Sequence, residues 1–232
     1  MCDNETGKFP SPDRTNLRSR MMRVYDLVFE RKLTNFAGGN MTVRAGDNTV
    51  YITRSGATRN QLGHMSPDDF ILADFDGNIV DGTGPLSVEF ECHTRLIREL
   101  DGVEAVIHTH SPYATMFAAR MEPIPAVIDS ALAYGTIPIV DDTYRYSTPP
   151  FVDKVVELLA DQPSMAARGG GAVLYPRHGV LVAHRSLELA IDLAERIEWN
   201  ALAVAFDRAM GSSIPTDLPE HADKPGDPGV GG

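Results

Sequence analysis

The sequence is poor in cysteine, positive charge and long apolar runs. Cys2 and Cys92 are its only cysteines in 232 residues, too few for the disulfide framework that holds a small secreted domain together. Lys plus Arg total 21 against 32 Asp plus Glu, a formal charge of −11. Such a balance repels nucleic acid and anionic membrane surfaces, so neither is expected as a partner, and any anionic substrate must be captured by local groups. No apolar run reaches membrane-spanning length, and the opening MCDNETGKFPSPDR lacks the apolar centre of a signal peptide. The expected compartment is therefore cytoplasmic. Internal repeats are also missing.

What is present suits one globular unit. With 43% apolar residues the chain can bury a substantial core, but not two. Residues 1–13 and 211–232, rich in Pro, Gly and polar residues, are expected to be flexible segments flanking a domain over 14–210. Leu17, Met21, Val24, Leu27 and Val28 recur at helical spacing, which predicts an amphipathic helix over 15–33. MTVRA and TVYITRS around GDN, then FILADF and NIV around DG, read as two β-hairpins. Ser87 precedes a helical stretch to Leu100, and VEAVIHTH is a strand that meets the helix-start pair Ser111-Pro112. Residues 123–140 are mixed and bounded by proline, 150–160 read as helix, AVLYPRHGVLVA as two strands around a turn, and 186–210 as a long closing helix. Hairpins interrupted by helices predict an α/β fold of three αβα layers around a mainly antiparallel or mixed sheet, not a regular βαβ winding.

Chemistry concentrates in few residues. His108 and His110 are two apart on a predicted strand, so both imidazoles project from one face. That is a two-ligand metal edge, and a catalytic zinc site needs a third protein ligand. His178, in a PRHGV turn where Gly179 permits a tight bend, is the candidate. An isolated His-X-His pair is more often two ordinary histidines, and a single turn histidine is usually a surface group. His64, His93, His184 and His221 fit those plainer roles, in a loop, a helix, a strand end and the C-terminal tail. Glu89 falls in the first turn of the helix after Ser87, where the helix dipole favours a carboxylate; spacing does not separate it from Glu91.

Taken together, G-G-N at 38–40, T-R-S-G at 53–56, L-S-V-E at 86–89, H-T-H at 108–110 and R-H-G at 177–179 resemble the class II aldolase/adducin family, in order, from about Leu17 to Met210. The family's acid precedes its His-X-His pair by nineteen residues, which selects Glu89. The resemblance implies that His108, His110 and His178 bind a divalent metal, usually zinc and sometimes manganese or cobalt. It makes Glu89 the acid/base that can also approach the metal. Gly39, Asn40, Ser55, Gly56 and Ser87 match positions lining an anion pocket, a set of amides, hydroxyls and a helix start suited to an anion. Two departures bear on substrate: Val88 replaces a hydroxyl donor, and Arg54 stands where the family has proline, able to bind phosphate or carboxylate. The family's proton-donor tyrosine aligns with Asp129, with Tyr134, Tyr144 and Tyr146 as alternatives. The implied activity is a lyase acting on a small hydroxy-ketone. Decarboxylase, 4-epimerase or dehydratase chemistry on the same scaffold and a non-catalytic interaction domain remain as alternatives. A homotetramer with sites at subunit boundaries is also implied.

Overall fold

Strands that are apolar on both faces need helices on both sides, and that requirement organises the molecule. The structure, a computed structural model, describes residues 16–36, 38–60 and 64–215. It opens with α1 (Leu17–Glu30), which buries Leu17, Met21, Val24, Tyr25 and Val28 along one stripe. The hairpin β1 (Asn40–Gly46) and β2 (Thr49–Thr53) follows, then the short α2 (Ala57–Asn60) and the hairpin β3 (Phe70–Asp74) and β4 (Ile79–Asp81). Next come α3 (Phe90–Glu99), β5 (Ala105–Thr109), α4 (Pro112–Arg120) and α5 (Asp129–Leu132). The chain closes with α6 (Pro149–Ala160), α7 (Pro163–Arg168), β6 (Gly170–Tyr175), β7 (Gly179–His184) and α8 (Leu187–Met210).

The seven strands form one sheet in the order β4-β3-β2-β1-β5-β7-β6. Every paired neighbour is antiparallel, so the mixed arrangement allowed by the sequence is not used; the parallel contact between Ile139 and Leu174 is an isolated bridge. Side-chain alternation divides the core into two layers. Ala105, Ile107, Leu174, Val180 and Val182 pack with α1, α4 and α8, while Val106, Val173, Tyr175, Leu181 and Ala183 pack with α3 and α6 on the other face. The sheet is thus the middle of three layers.

Helix ends are satisfied by tertiary partners as much as by local ones. Ser186 caps α8 by accepting a hydrogen bond from the Leu189 amide at 3.2 Å. At α4, however, Ser111 does not cap: its hydroxyl donates to the Leu33 carbonyl at 3.2 Å and pairs with Thr109 Oγ1 at 2.8 Å. The free amides of Tyr113 and Ala114 instead donate to the Glu198 carboxylate of α8 at 2.9 and 3.0 Å.

Strand direction decides where chemistry collects. In the run β2-β1-β5-β7, antiparallel pairing places the end of β2, the start of β1, the end of β5 and the start of β7 at one end of the sheet. Asn40 lies opposite His108, and Thr109 lies opposite Val180. The segments that carry T-R-S-G, G-G-N, H-T-H and R-H-G are therefore neighbours in space.

Candidate metal centre and its cavity

His108 is the last-but-one residue of β5, His110 lies just past its end, and His178 closes the turn into β7. Although His110 is outside the strand, its Nε2 comes 3.1 Å from His108 Nε2 and 3.2 Å from His178 Nε2. Three imidazoles around a tetrahedral zinc, with bonds of about 2.0–2.1 Å, place their nitrogens about 3.3 Å apart. The observed spacing fits that donor set.

Protonation fits as well. His108 Nδ1 is 3.1 Å from the Val180 carbonyl, which can only accept, so Nδ1 carries the proton and Nε2 presents its lone pair. Burial, then the neighbouring His110 and His178, holds His108 well below the usual imidazole range. Burial likewise lowers His110 and His178. Neutral rings with lone pairs directed at one another repel unless a cation lies between them. These three residues could therefore hold a divalent ion, and they are the group of ligating side chains that converges among the described residues.

Two glycines make the convergence possible. A methyl group at Gly38 would lie 2.0 Å from His110 Cε1, and one at Gly179 would lie 2.3 Å from the Thr109 carbonyl oxygen and 3.1 Å from both His108 Cε1 and His110 Cδ2. Gly39, at φ 97°, is held by hydrogen bonds from Tyr25 Oη (3.1 Å) and Thr58 Oγ1 (3.2 Å) to its carbonyl.

Glu89 stands at the N-cap of α3 rather than inside its first turn, and its side chain makes no cap hydrogen bond. The carboxylate is 2% exposed and turns into the cavity. Asn40 Nδ2 donates to its Oε2. Its Oε1, like Asn40 Oδ1, is buried with no protein partner among the described residues. An unpartnered buried carboxylate oxygen is costly unless a cation or a proton donor serves it, which again suits an ion or substrate held beside the imidazoles.

A cavity of about 450 Å³ opens here, lined by the three histidines, Glu89, Gly39, Asn40, Arg54, Ser55, Gly56, Ser87 and Val88. Ser87 Oγ accepts from the Glu89 amide at 3.3 Å. Arg54 is anchored by Asp69 at 2.5 Å; Asp69 is almost fully buried and also bonds Ser66. Burial pushes the Asp69 carboxyl up, but the Ser66 and Arg54 hydrogen bonds outweigh it and leave the group below the usual carboxylate range. Val88 is 71% exposed on the rim.

The structure does not bring Asp129 to the cavity of its own chain. The Val127 and Ile128 amides donate to Asn200 Oδ1, and Asn200 Nδ2 donates to the Pro125 carbonyl, so this segment is tied to α8 and Asp129 is exposed at the start of α5. Tyr146, left open among four candidates by the sequence, lines the cavity instead. Its ring stacks on His178 at 4.8 Å and 23°. Burial, then the charge of Glu89, pushes its phenol up. Gly38, Thr58, Arg59 and Phe36 also line the cavity and had no role from sequence. For Gly38 the signal lay in the G-G-N motif itself; for the others there was none. His93 is fully buried in α3 with Nδ1 2.8 Å from Thr42 Oγ1, His184 ends β7, and His64 is in an exposed loop. His221 and Cys2 lie outside the described residues.

Comparison with known proteins adds to this geometry. Residues 19–204 match the Class II Aldolase and Adducin N-terminal domain family. The chain belongs to that family. The 5-methylthioribulose-1-phosphate/5-deoxyribulose-1-phosphate aldolase of Rhodospirillum rubrum is 31% identical over 207 residues, covering 89% of this chain and 87% of that one. The 3-oxo-tetronate 4-phosphate decarboxylase of Haemophilus influenzae is 29% identical over 78% of this chain and 83% of its own. An L-fuculose phosphate aldolase of Methanococcus maripaludis is 34% identical over 113 residues, a match spanning 49% of this chain and 59% of that one. The solved structure of an L-fuculose 1-phosphate aldolase superposes with a TM-score of 0.75 at 23% identity, covering 91% of this chain and 94% of that one, a likeness of fold. Class II aldolases use a divalent metal. Among the described residues no helix is long and apolar enough to cross a membrane.

Proposed function

We propose that this class II aldolase-like protein is a divalent-metal lyase that breaks or makes a carbon–carbon bond in a small hydroxy-ketone bearing a phosphate or carboxylate. One observation carries the proposal: three neutral imidazoles converge beside a buried carboxylate whose Oε1 has no protein partner among the described residues. His108, His110 and His178 hold the ion, zinc by preference of their donor type, with manganese or cobalt as substitutes. Bound there, a divalent cation supplies Lewis-acid stabilisation of negative charge on the ketone oxygen.

The chain's own groups do the rest. Asn40 fixes Glu89 Oε2, leaving Oε1 to carry the proton at the carbon next to the ketone. Ser55, Gly56, Ser87 and Arg54, which line the same cavity, receive the anionic end of the substrate. A second reading, decarboxylation of a β-keto acid, develops charge on the same kind of oxygen. Exposed Val88, which presents no hydroxyl to the anion wall, keeps it in play, as does the decarboxylase relative. A homotetramer in the cytoplasm with small-molecule substrate sites near subunit boundaries completes the proposal.

The test is elemental analysis of the purified full chain followed by incubation with 5-deoxyribulose 1-phosphate, L-fuculose 1-phosphate and 3-oxo-tetronate 4-phosphate. Mass spectrometry separates aldehyde formation from CO2 loss. Glu89→Gln should keep the metal and lose turnover, while His178→Ala should lose stoichiometric metal. A protein that binds no divalent ion and turns over none of the three sinks the proposal; tetramer formation is checked by light scattering.

A further inference from the structure

A helix and a strand can be tied together at regular intervals only if their repeats agree. Two residues of a strand advance about 6.8 Å on one face, and four residues of a helix advance about 6.0 Å along one stripe. β1 and α3 use that near-match. Asn40, Thr42 and Arg44 alternate onto one face of β1, while Glu89, His93 and Ile97 follow one another at four-residue steps. Asn40 Nδ2 donates to Glu89 Oε2, Thr42 Oγ1 pairs with His93 Nδ1 at 2.8 Å, and Arg44 Nη2 donates to the Ile97 carbonyl. The result is a polar ladder of three rungs.

Each rung has its own task. Arg44 serves a carbonyl in the last turn of α3, one of the four that a helix end leaves without an internal donor. Asn40 holds the Glu89 carboxylate itself. Between them, Thr42 and His93 are fully buried, and the His93 amide donates to the Glu89 carbonyl at 2.9 Å. Burial holds His93 at about 4, so its ring is neutral, with one donor and one acceptor nitrogen. Its Nε2 has no protein partner among the described residues, which leaves the Thr42 bond to fix the ring. Otherwise α3 meets this layer through Cys92, Leu96 and Ile97, and apolar contact is non-directional. It holds the helix down without setting where along β1 the helix stops. Glu89, at the N-cap with no cap hydrogen bond of its own, moves with that helix.

We propose that Thr42 and His93 are positioning residues for Glu89: their hydrogen bond fixes α3 against β1 at the register in which Asn40 takes Oε2 and Oε1 is left to the substrate. The role rests on the lyase reading. Neither residue touches the reacting atoms.

Thr42→Val replaces the hydroxyl by a methyl group of similar size, so the bond goes while the packing stays. The assay uses 5-deoxyribulose 1-phosphate, L-fuculose 1-phosphate or 3-oxo-tetronate 4-phosphate, whichever the wild-type enzyme turns over. In Thr42→Val kcat should fall at least about tenfold, since a displacement of about 1 Å can cost about 100-fold. KM, and metal affinity measured against a competing chelator, should stay within about twofold. Thr42→Ser, which keeps the hydroxyl, should restore kcat. His93→Leu should match Thr42→Val, and the double variant should be no slower than either, because both remove one bond. Ser186→Ala, which loosens α8 on the other face of the sheet, should leave kcat unchanged and so separates positioning from a general loss of stability. Thr42→Val at the wild-type kcat overturns the proposal. So does loss of metal in that variant, a Thr42→Ser enzyme as slow as Thr42→Val, or losses that multiply in the double variant. Should His93→Leu fail to fold, the two Thr42 variants decide the matter alone. A wild-type enzyme that turns over none of the three phosphates removes the lyase reading itself and this role with it.

Discussion

Gly38→Ala offers the sharpest probe of the proposed metal centre because it replaces no ligand. What alanine lacks at Gly38 is space. The added methyl would sit 2.0 Å from His110 Cε1, 2.5 Å from Nε2 and 2.8 Å from Nδ1. Ordinary contact begins at 3.4 Å, so the ring must retreat by about 1.4 Å. Metal–ligand bonds tolerate about 0.2 Å. The loop cannot easily yield instead, because the next carbonyl, that of Gly39, is gripped by Tyr25 and Thr58.

His110 is then the part that moves, leaving two imidazoles for the ion. Affinity should fall by at least about 100-fold, the upper end of what disturbing a supporting group costs, or about 2.7 kcal/mol. Equilibrium titration against a competing chelator reads the affinity. Far-UV circular dichroism and a melting curve taken in chelator establish that the fold persists. A Gly38→Ala protein with one equivalent of metal at wild-type affinity would refute the reasoning, since it would show that His110 is not required where the structure puts it.

Further outcomes are expected elsewhere. Arg54→Gln should raise KM for an anionic substrate about tenfold, since it removes a charged donor from the cavity wall. By leaving buried Asp69 short of a partner it should also cost about 2 kcal/mol in urea unfolding. Burial and then Arg185 hold His184 at about 4, below the 6.5 of the unfolded chain. The unfolded state therefore binds the extra proton, and stability present above pH 6.5 is lost as pH falls toward 4, by about 3 kcal/mol. The loss should be shallower in His184→Gln by denaturant titration at successive pH values. Ser186→Ala, which removes the α8 cap, should lower stability by about 1 kcal/mol with metal content unchanged.

Periodicity made most elements legible. The 3.6-residue recurrence from Leu17 marked α1, and β-branched runs around GDN and DG marked both hairpins. α5, at four residues, and α7, at six, are too short to show a helical period, so 123–140 and 163–168 carried no helix signal. Cap reasoning failed where a tertiary partner was better. Ser111 spends its hydroxyl on Leu33 because Glu198, 85 residues from Tyr113, already serves the α4 amides. Nothing local at 111–114 announces that carboxylate.

The site was legible differently. Spacing and ordered motifs that resemble a family's point to His108, His110 and His178, but the physical cause of their meeting is a matter of strand direction. Two-residue spacing predicted a shared strand face; in fact β5 stops at Thr109, and His110 reaches the cluster from the turn beyond. The reason for Gly38 could not be read from sequence at all, because its missing side chain matters only against a ring 72 positions away. Asn40 and Glu89 are a similar case: β1 and α3 must be folded before their hydrogen bond exists.

Antiparallel order also explains why this end of the sheet, and not the other, holds reactive groups. At the far end, the β1–β2 turn and the β5 start present Asp47, Thr49 and Glu104 to solvent or to ion pairs such as Arg44–Glu104 at 3.4 Å, and the single imidazole there among the described residues, His184 opposite Ala105, is buried apart from the three that converge. At the near end four chain segments arrive within one cavity, each delivering a short polar motif from an apolar strand buried on both faces. Rigid strands fix the motif positions, while glycines at 38, 39, 56 and 179 keep the space between them open. A substitution that shifted β5 by one residue against β7 would reverse which of its side chains face α3. His108 would then leave Tyr175, on which it now stacks at 5.2 Å, for the opposite layer. The proposed metal centre is for that reason a test of sheet register: a variant that keeps the three imidazoles together must also keep His108 opposite Asn40 and Leu181.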